Sequence, residues 1–143
     1  MKKEKTCKIV FSDIDGTLLT SDGQITEGTK EMILNLEKKG IPFILTSARS
    51  PEGVRVIKRM LGNHAPIIAF CGGLILDNDG NEIYSKMIPL KRALELKAML
   101  DKDFPAVACN TFGGEKWIVD DREDWREQRE EKIVGFPAEI GSI

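Results

Sequence analysis

The chain has 143 residues, the length of one ordinary domain. Its 21 basic and 23 acidic residues leave a net charge of −2, without the basic excess of a nucleic-acid binder. A hydrophobic content of 41% supports a packed core and argues against disorder, and no apolar run approaches the roughly 20 residues of a membrane span.

Residues 1–5 are charged, and no long apolar stretch follows to make a signal peptide. Residues 8–11 read as a short buried strand. Thr26 is placed to cap a helix behind Ile25, with Met32, Ile33 and Leu36 on its inner face and Gly40 as its left-handed stop. "IPFILTSAR" reads as a second strand over Ile41 to Leu45. Ser50 before Pro51 starts the next helix, since proline's missing N–H costs nothing at the first helical position. Val54, Ile57 and Leu61 share one face of it, and Gly62 ends it. "PIIAF" is a third strand. The order β-α-β-α-β, with strands apolar throughout, predicts a parallel sheet covered by helices.

The pattern then changes. "LILDNDGNEIY" has hairpin chemistry, with Asn78-Asp79-Gly80 at its tip. A helix is expected over 89–101, with Leu90, Ala93, Leu96 and Leu100 on one side, and a second hairpin around Gly113-Gly114. A charged helix over 121–133 carries Asp121, Glu123 and Asp124 in its first turn, which suits the helix dipole. The tail "GFPAEIGSI" predicts no element. These readings place an α/β core over 1–86 and an α+β piece over 87–143. Cys7, Cys71 and Cys109 are scattered, without a CxxC, and read as small core residues in a reducing cytosol. His64 reads as a surface loop residue, and Trp117 and Trp125 as packing aromatics.

The first strand runs into "SDIDGT". Asp13 and Asp15 stand at the carboxyl end of a strand, where open α/β sheets bind ligands. At i and i+2 in extended chain they point to one side. Two such carboxylates suit a hard cation such as Mg²⁺, or a division into nucleophile and general acid/base. A bare Asp-x-Asp also simply ends a strand at a turn. An EF-hand is excluded, because Gly16 falls at the fourth loop position and Glu82 fills the glycine position of the Asp77-Asp79-Asn81 stretch. The second strand ends in Thr46-Ser47-Ala48-Arg49, a hydroxyl and a guanidinium able to serve a phosphate.

"FSDIDGTLL" resembles the first signature of the haloacid dehalogenase superfamily, and "GIPFILTSAR" resembles its second. "PIIAFCGGLILDNDGNEIYSK" is similar to the following segment of the Cof-type branch, which usually reads Asn-Gly-Ala where this chain has Cys71-Gly72-Gly73. "WIVDDREDW" resembles the first half of that branch's cap domain. The resemblance implies a partial Rossmann-like core followed by the first part of an α+β cap. It implies a Mg²⁺-dependent cytoplasmic phosphatase of small phosphorylated metabolites. Asp13 would be the nucleophile and Asp15 the acid/base. The metal would sit on the Asp13 carboxylate and the Asp15 main-chain carbonyl, with Ser47 and Arg49 on the phosphate. The family's later lysine and second acidic signature have no counterpart in residues 1–143, where Lys86, Lys116 and Lys132 stand in the wrong context. Two expectations follow: weak hydrolysis by this chain alone, or a non-catalytic relative acting by association. Without later strands beside it, the stretch 8–11 would expose an apolar edge through which the chain forms a homodimer, swaps segments or is poorly soluble, unless the tail from Ile133 to Ile143 folds back over it.

Overall fold

The structure, a computed structural model, describes residues 7–114 and 116–141. The chain divides into two compact units, Met1–Ser85 and Lys86–Ile143.

The first unit is built on a mixed sheet flanked by helices. Its elements are β1 (Val10–Ser12), α1 (Glu27–Lys38), β2 (Phe43–Thr46), α2 (Pro51–Leu61), β3 (Ile67–Ala69), β4 (Leu74–Leu76) and β5 (Glu82–Ser85). The strands lie in chain order. β1, β2 and β3 are parallel, and β4 and β5 turn back antiparallel. This is the α/β arrangement expected from continuous apolar runs separated by helices. Ile14, Leu45, Val54, Leu61 and Ala69 lie at the centre of the core.

The helix ends are fixed by local chemistry. Thr26 Oγ1 accepts the Thr29 amide and Ser50 Oγ accepts the Gly53 amide. At the end of α2, Gly62 takes φ +70°, and the Gly62 and Asn63 amides turn back to Arg59 and Lys58. An L side chain there would meet its own carbonyl, so glycine makes the stop. Gly40 ends α1 in the same way, with the Ile41 amide reaching Leu36.

Several local expectations shift. β1 runs over 10–12 rather than 8–11, and β2 runs over 43–46 rather than 41–45. Met32 is exposed, and Ile33 takes the inward position on α1 with Leu36 beside it. Cys7 and Cys71 are exposed and Cys109 is half-buried, so the cysteines are not core residues.

The second unit comprises α3 (Leu90–Asp103), β6 (Asn110–Gly113), β7 (Lys116–Val119), α4 (Trp125–Val134) and β8 (Glu139–Ile140). β6 and β7 form the expected hairpin. The tail supplies the strand that the sequence pattern did not announce, since β8 pairs parallel to β7. The described part of the tail is therefore engaged on β7. Trp117, Val119, Val134 and Ala138 form a small core. Trp117 packs as expected, whereas Trp125 is 68% exposed. α4 starts later than the acidic run, so Asp124 is its N-cap and Asp121 and Glu123 precede it. α3 buries none of its residues, and Leu90 and Leu96 are exposed. Among the described residues, no helix is long and apolar enough to cross a membrane.

Candidate active site

Parallel pairing sets the site at one edge of the sheet. Ser12 is level with Leu45, and Thr46 with Ile68. The chain segments leaving β1 and β2 therefore run side by side at the strands' carboxyl ends. Along the first segment Asp13 is exposed, Ile14 is fully buried and Asp15 is exposed. Ile14 is buried in the core between two exposed carboxylate residues, and the chain already bends at Ile14 and turns at Asp15, so the two do not alternate on one extended strand as the spacing predicts. Gly16 at φ +74° lets the backbone turn immediately after the pair.

Arg49, leaving β2, meets Asp15 directly. Its Nε donates to Oδ2 at 2.9 Å and its Nη2 to Oδ1 at 2.7 Å. The guanidinium fork matches the carboxylate plane, which gives orientation as well as attraction. The arginine side chain is 11% exposed and the aspartate 57%, so water screens the pair from the aspartate side. Room for the arginine stem comes from Gly53, where an added Cβ would lie 3.2 Å from Arg49 Cβ. Both Asp15 side-chain oxygens are taken by Arg49.

Ser47 is buried. Its Oγ accepts the Arg49 amide at 3.1 Å and keeps its own proton for donation. Thus Asp15, Ser47 and Arg49 form one connected group, and Asp13 is exposed two residues before Asp15. Among the described residues no three acidic, histidine or cysteine side chains are grouped to hold a metal ion. The side-chain donor left at this edge is the Asp13 carboxylate, with main-chain oxygens beside it. That suits Mg²⁺, which keeps several waters and commonly takes one or two carboxylates plus phosphate oxygens.

A feature missed in the sequence lies behind Ser47 and Arg49. After β3, Phe70 and Cys71 both adopt positive φ, at 51° and 54°. The Phe70 amide bonds the Arg49 carbonyl at 3.0 Å and the Cys71 amide bonds the Ser47 carbonyl at 2.9 Å. These two bonds hold the 47–49 segment from behind, at the cost of left-handed backbone at two non-glycine residues. The Gly72-Gly73 pair was the only signal of a sharp turn there. Cys71→Asn is expected to stabilise the fold by about 0.5–1 kcal/mol, because asparagine tolerates this conformation better. Thermal melts decide it, and a loss of stability would mean that the thiol makes a contact of its own.

Comparison with known proteins bears on this site. Residues 10–139 match the family model of haloacid dehalogenase-like hydrolases. A Haemophilus influenzae protein carrying a provisional phosphatase name is 36% identical over 124 residues, which are 80% of this chain and 47% of that protein. A phosphoglycolate phosphatase of Thermoplasma volcanium is 38% identical over 74 residues, 52% of this chain and 33% of its own length. Among solved structures, a haloacid dehalogenase-like hydrolase from Bacteroides thetaiotaomicron superposes with a TM-score of 0.85 at 20% identity, covering 96% of this chain and 53% of that one. The chain spans about half the length, or less, of these proteins.

Proposed function

The chain belongs to the haloacid dehalogenase-like hydrolase family, and on that premise we propose that it carries the nucleophile-bearing part of a Cof-type phosphatase of small phosphorylated metabolites in the cytoplasm. In this reading residues 1–86 are the N-terminal part of the catalytic core, and residues 87–143 are the first part of the cap. The observation that supports it best is the Asp15–Arg49 pair beside Ser47 and Asp13 at the carboxyl edge of β1 and β2.

Asp13 attacks phosphorus through a carboxylate oxygen, and the bond to the ester oxygen breaks. Asp15 acts here in its protonated form, in exchange for one of its two bonds to Arg49, and passes that proton to the departing oxygen. Asp15 then takes a proton from water as that water attacks the phosphoaspartate, which releases inorganic phosphate and restores Asp13. Arg49 fixes the Asp15 carboxylate in the plane of its guanidinium, and the Ser47 hydroxyl donates to a phosphoryl oxygen. Mg²⁺ would be held by the Asp13 carboxylate and the Asp15 carbonyl, and would supply charge neutralisation for the phosphate. Such chemistry relies on alignment and electrostatics, which a preformed ion pair on parallel strands can provide. A phosphate-ester assay with Mg²⁺ tests this reading. Hydrolysis that needs both the metal and Asp13 supports it, and hydrolysis indifferent to Asp13 rejects it.

We also propose that the 143-residue chain self-associates through β1. β1 ends the sheet, pairing with β2 alone among the described residues, and Phe11 on it is 57% exposed. An unpaired strand edge with an exposed aromatic invites a second strand. Phe11 is the residue to change, because Val10 packs against the core. Light scattering over a concentration series is expected to show a dimer that Phe11→Lys weakens. A monomer at every concentration rejects the proposal.

A further inference from the structure

α3 turns Ala93, Lys97 and Leu100 inward, and even these are only half-buried. At about 100° per residue, a second stripe runs along the helix through Arg92, Leu96, Met99 and Asp103. All four are exposed, Leu96 by 46% and Met99 by 43%. Exposed apolar side chains alone are ordinary on a protein surface. What sets this stripe apart is the order of its charges.

The stripe is its own complement when reversed. Arg92 stands four residues before Leu96, and Asp103 stands four after Met99. Two apolar side chains thus lie at the centre, with opposite charges at the ends. On one flank Glu95 and Lys102 repeat the arrangement with the signs exchanged. A second α3 laid antiparallel, about a two-fold axis between Leu96 and Met99, would set Leu96 against Met99 of the other copy. Arg92 would then face the other copy's Asp103, and Glu95 its Lys102. Each contact occurs twice, as a two-fold interface requires. A parallel pairing would put like charges level. Existing bonds do not stand in the way. Arg92 holds Glu95 at 2.7 Å on its own helix, with side chains 73% and 46% exposed, and an ion pair so wet is weak and easily exchanged. Lys102 and Asp103 have no ion pair among the described residues. Leu90 and Leu94 lie on the other side of the inward stripe and have no reversed match.

We propose that two copies of the chain pair antiparallel through this face of α3. The occupant is a second copy because the face complements itself in charge and in the placing of its apolar pair. The face is narrow, so the pairing is weak and appears only at high protein concentration. It lies wholly in the second unit, and rests on neither the phosphatase reading nor the β1 contact.

The test is sedimentation equilibrium of the 143-residue chain in low salt, from micromolar to millimolar protein. Phe11→Lys serves as the background, which takes the β1 edge out of the measurement. The expected result is a reversible monomer–dimer equilibrium that weakens as salt is added. Arg92→Asp alone, or Asp103→Arg alone, places like charges at both ends of the pair and should weaken the dimer about tenfold. The two changes together in one chain restore every match and should return the affinity to that of the background. Both changes suit the helix dipole, an acid near its start and a base near its end, so the fold is not at risk. If the Phe11→Lys chain does not fold, the same series in the unmodified chain gives the same reading by difference. A monomer at every concentration, single variants as tight as the background, or a double variant as weak as the single ones would each overturn the proposal.

Discussion

Asp13→Asn is expected to bring Mg²⁺-dependent phosphate-ester hydrolysis down to the buffer background, whatever the rate of the unmodified chain. The amide has nearly the same shape but is no nucleophile, and it gives a cation less negative charge. Removing a catalytic nucleophile costs on the order of 10⁴-fold or more where it has been measured. Because Asp13 is exposed, its replacement should leave stability within about 0.5 kcal/mol of the parent. Kinetics and a melting curve on the same sample thus separate lost chemistry from lost fold. Hydrolysis that persists in a folded Asp13→Asn protein would remove Asp13 from the role assigned to it.

Leu45→Ala is expected to cost about 3–5 kcal/mol, the range for truncating a large side chain in a close-packed core. Leu45 is 1% exposed, sits in β2, and lies level with Ser12 on one neighbour and Ile67 on the other. The cavity cannot collapse without moving two parallel pairings. A domain of this size has only about 5–15 kcal/mol in total, so the variant should be partly unfolded at ambient temperature or nearly so. Urea denaturation measures it, with an unchanged m-value showing that the native state rather than the denatured state was altered. A cost below about 1 kcal/mol, as for a typical surface substitution, would contradict the placement of Leu45 between the strands.

The first unit was legible because its signals are local and mutually consistent. The apolar runs within 8–11, 41–45 and 66–70 mark parallel strands, while Thr26, Ser50 and Gly62 mark helix ends by caps that act within a few residues. Met32 and Ile33 were read as sharing a face although successive helical residues lie about 100° apart. Ile33 alone faces fully inward. What failed was tertiary. β8 is two exposed residues whose existence depends on β7, twenty-one positions earlier, and no alternation could announce it. The left-handed Phe70 and Cys71 are held by bonds to Arg49 and Ser47 rather than by their own propensity. Arg49 was read as a phosphate ligand from its place at a strand end. Its bidentate pairing with Asp15, 34 positions away, needed coordinates. Glu127 stands three residues after the Asp124 cap, the pattern of a capping box. Asn110 draws it inward instead, which converts a surface helix start into a buried carboxylate.

The account rests on Asp13 as the group that takes up phosphorus, and fluorine NMR of the 143-residue chain with beryllofluoride and Mg²⁺ tests that most directly. Beryllofluoride mimics a phosphoryl group on a carboxylate and needs no turnover to report. Bound fluorine resonances that require Mg²⁺ and vanish in Asp13→Asn are the predicted result. Bound resonances that survive Asp13→Asn, or their absence from the unmodified chain at saturating metal, would contradict it.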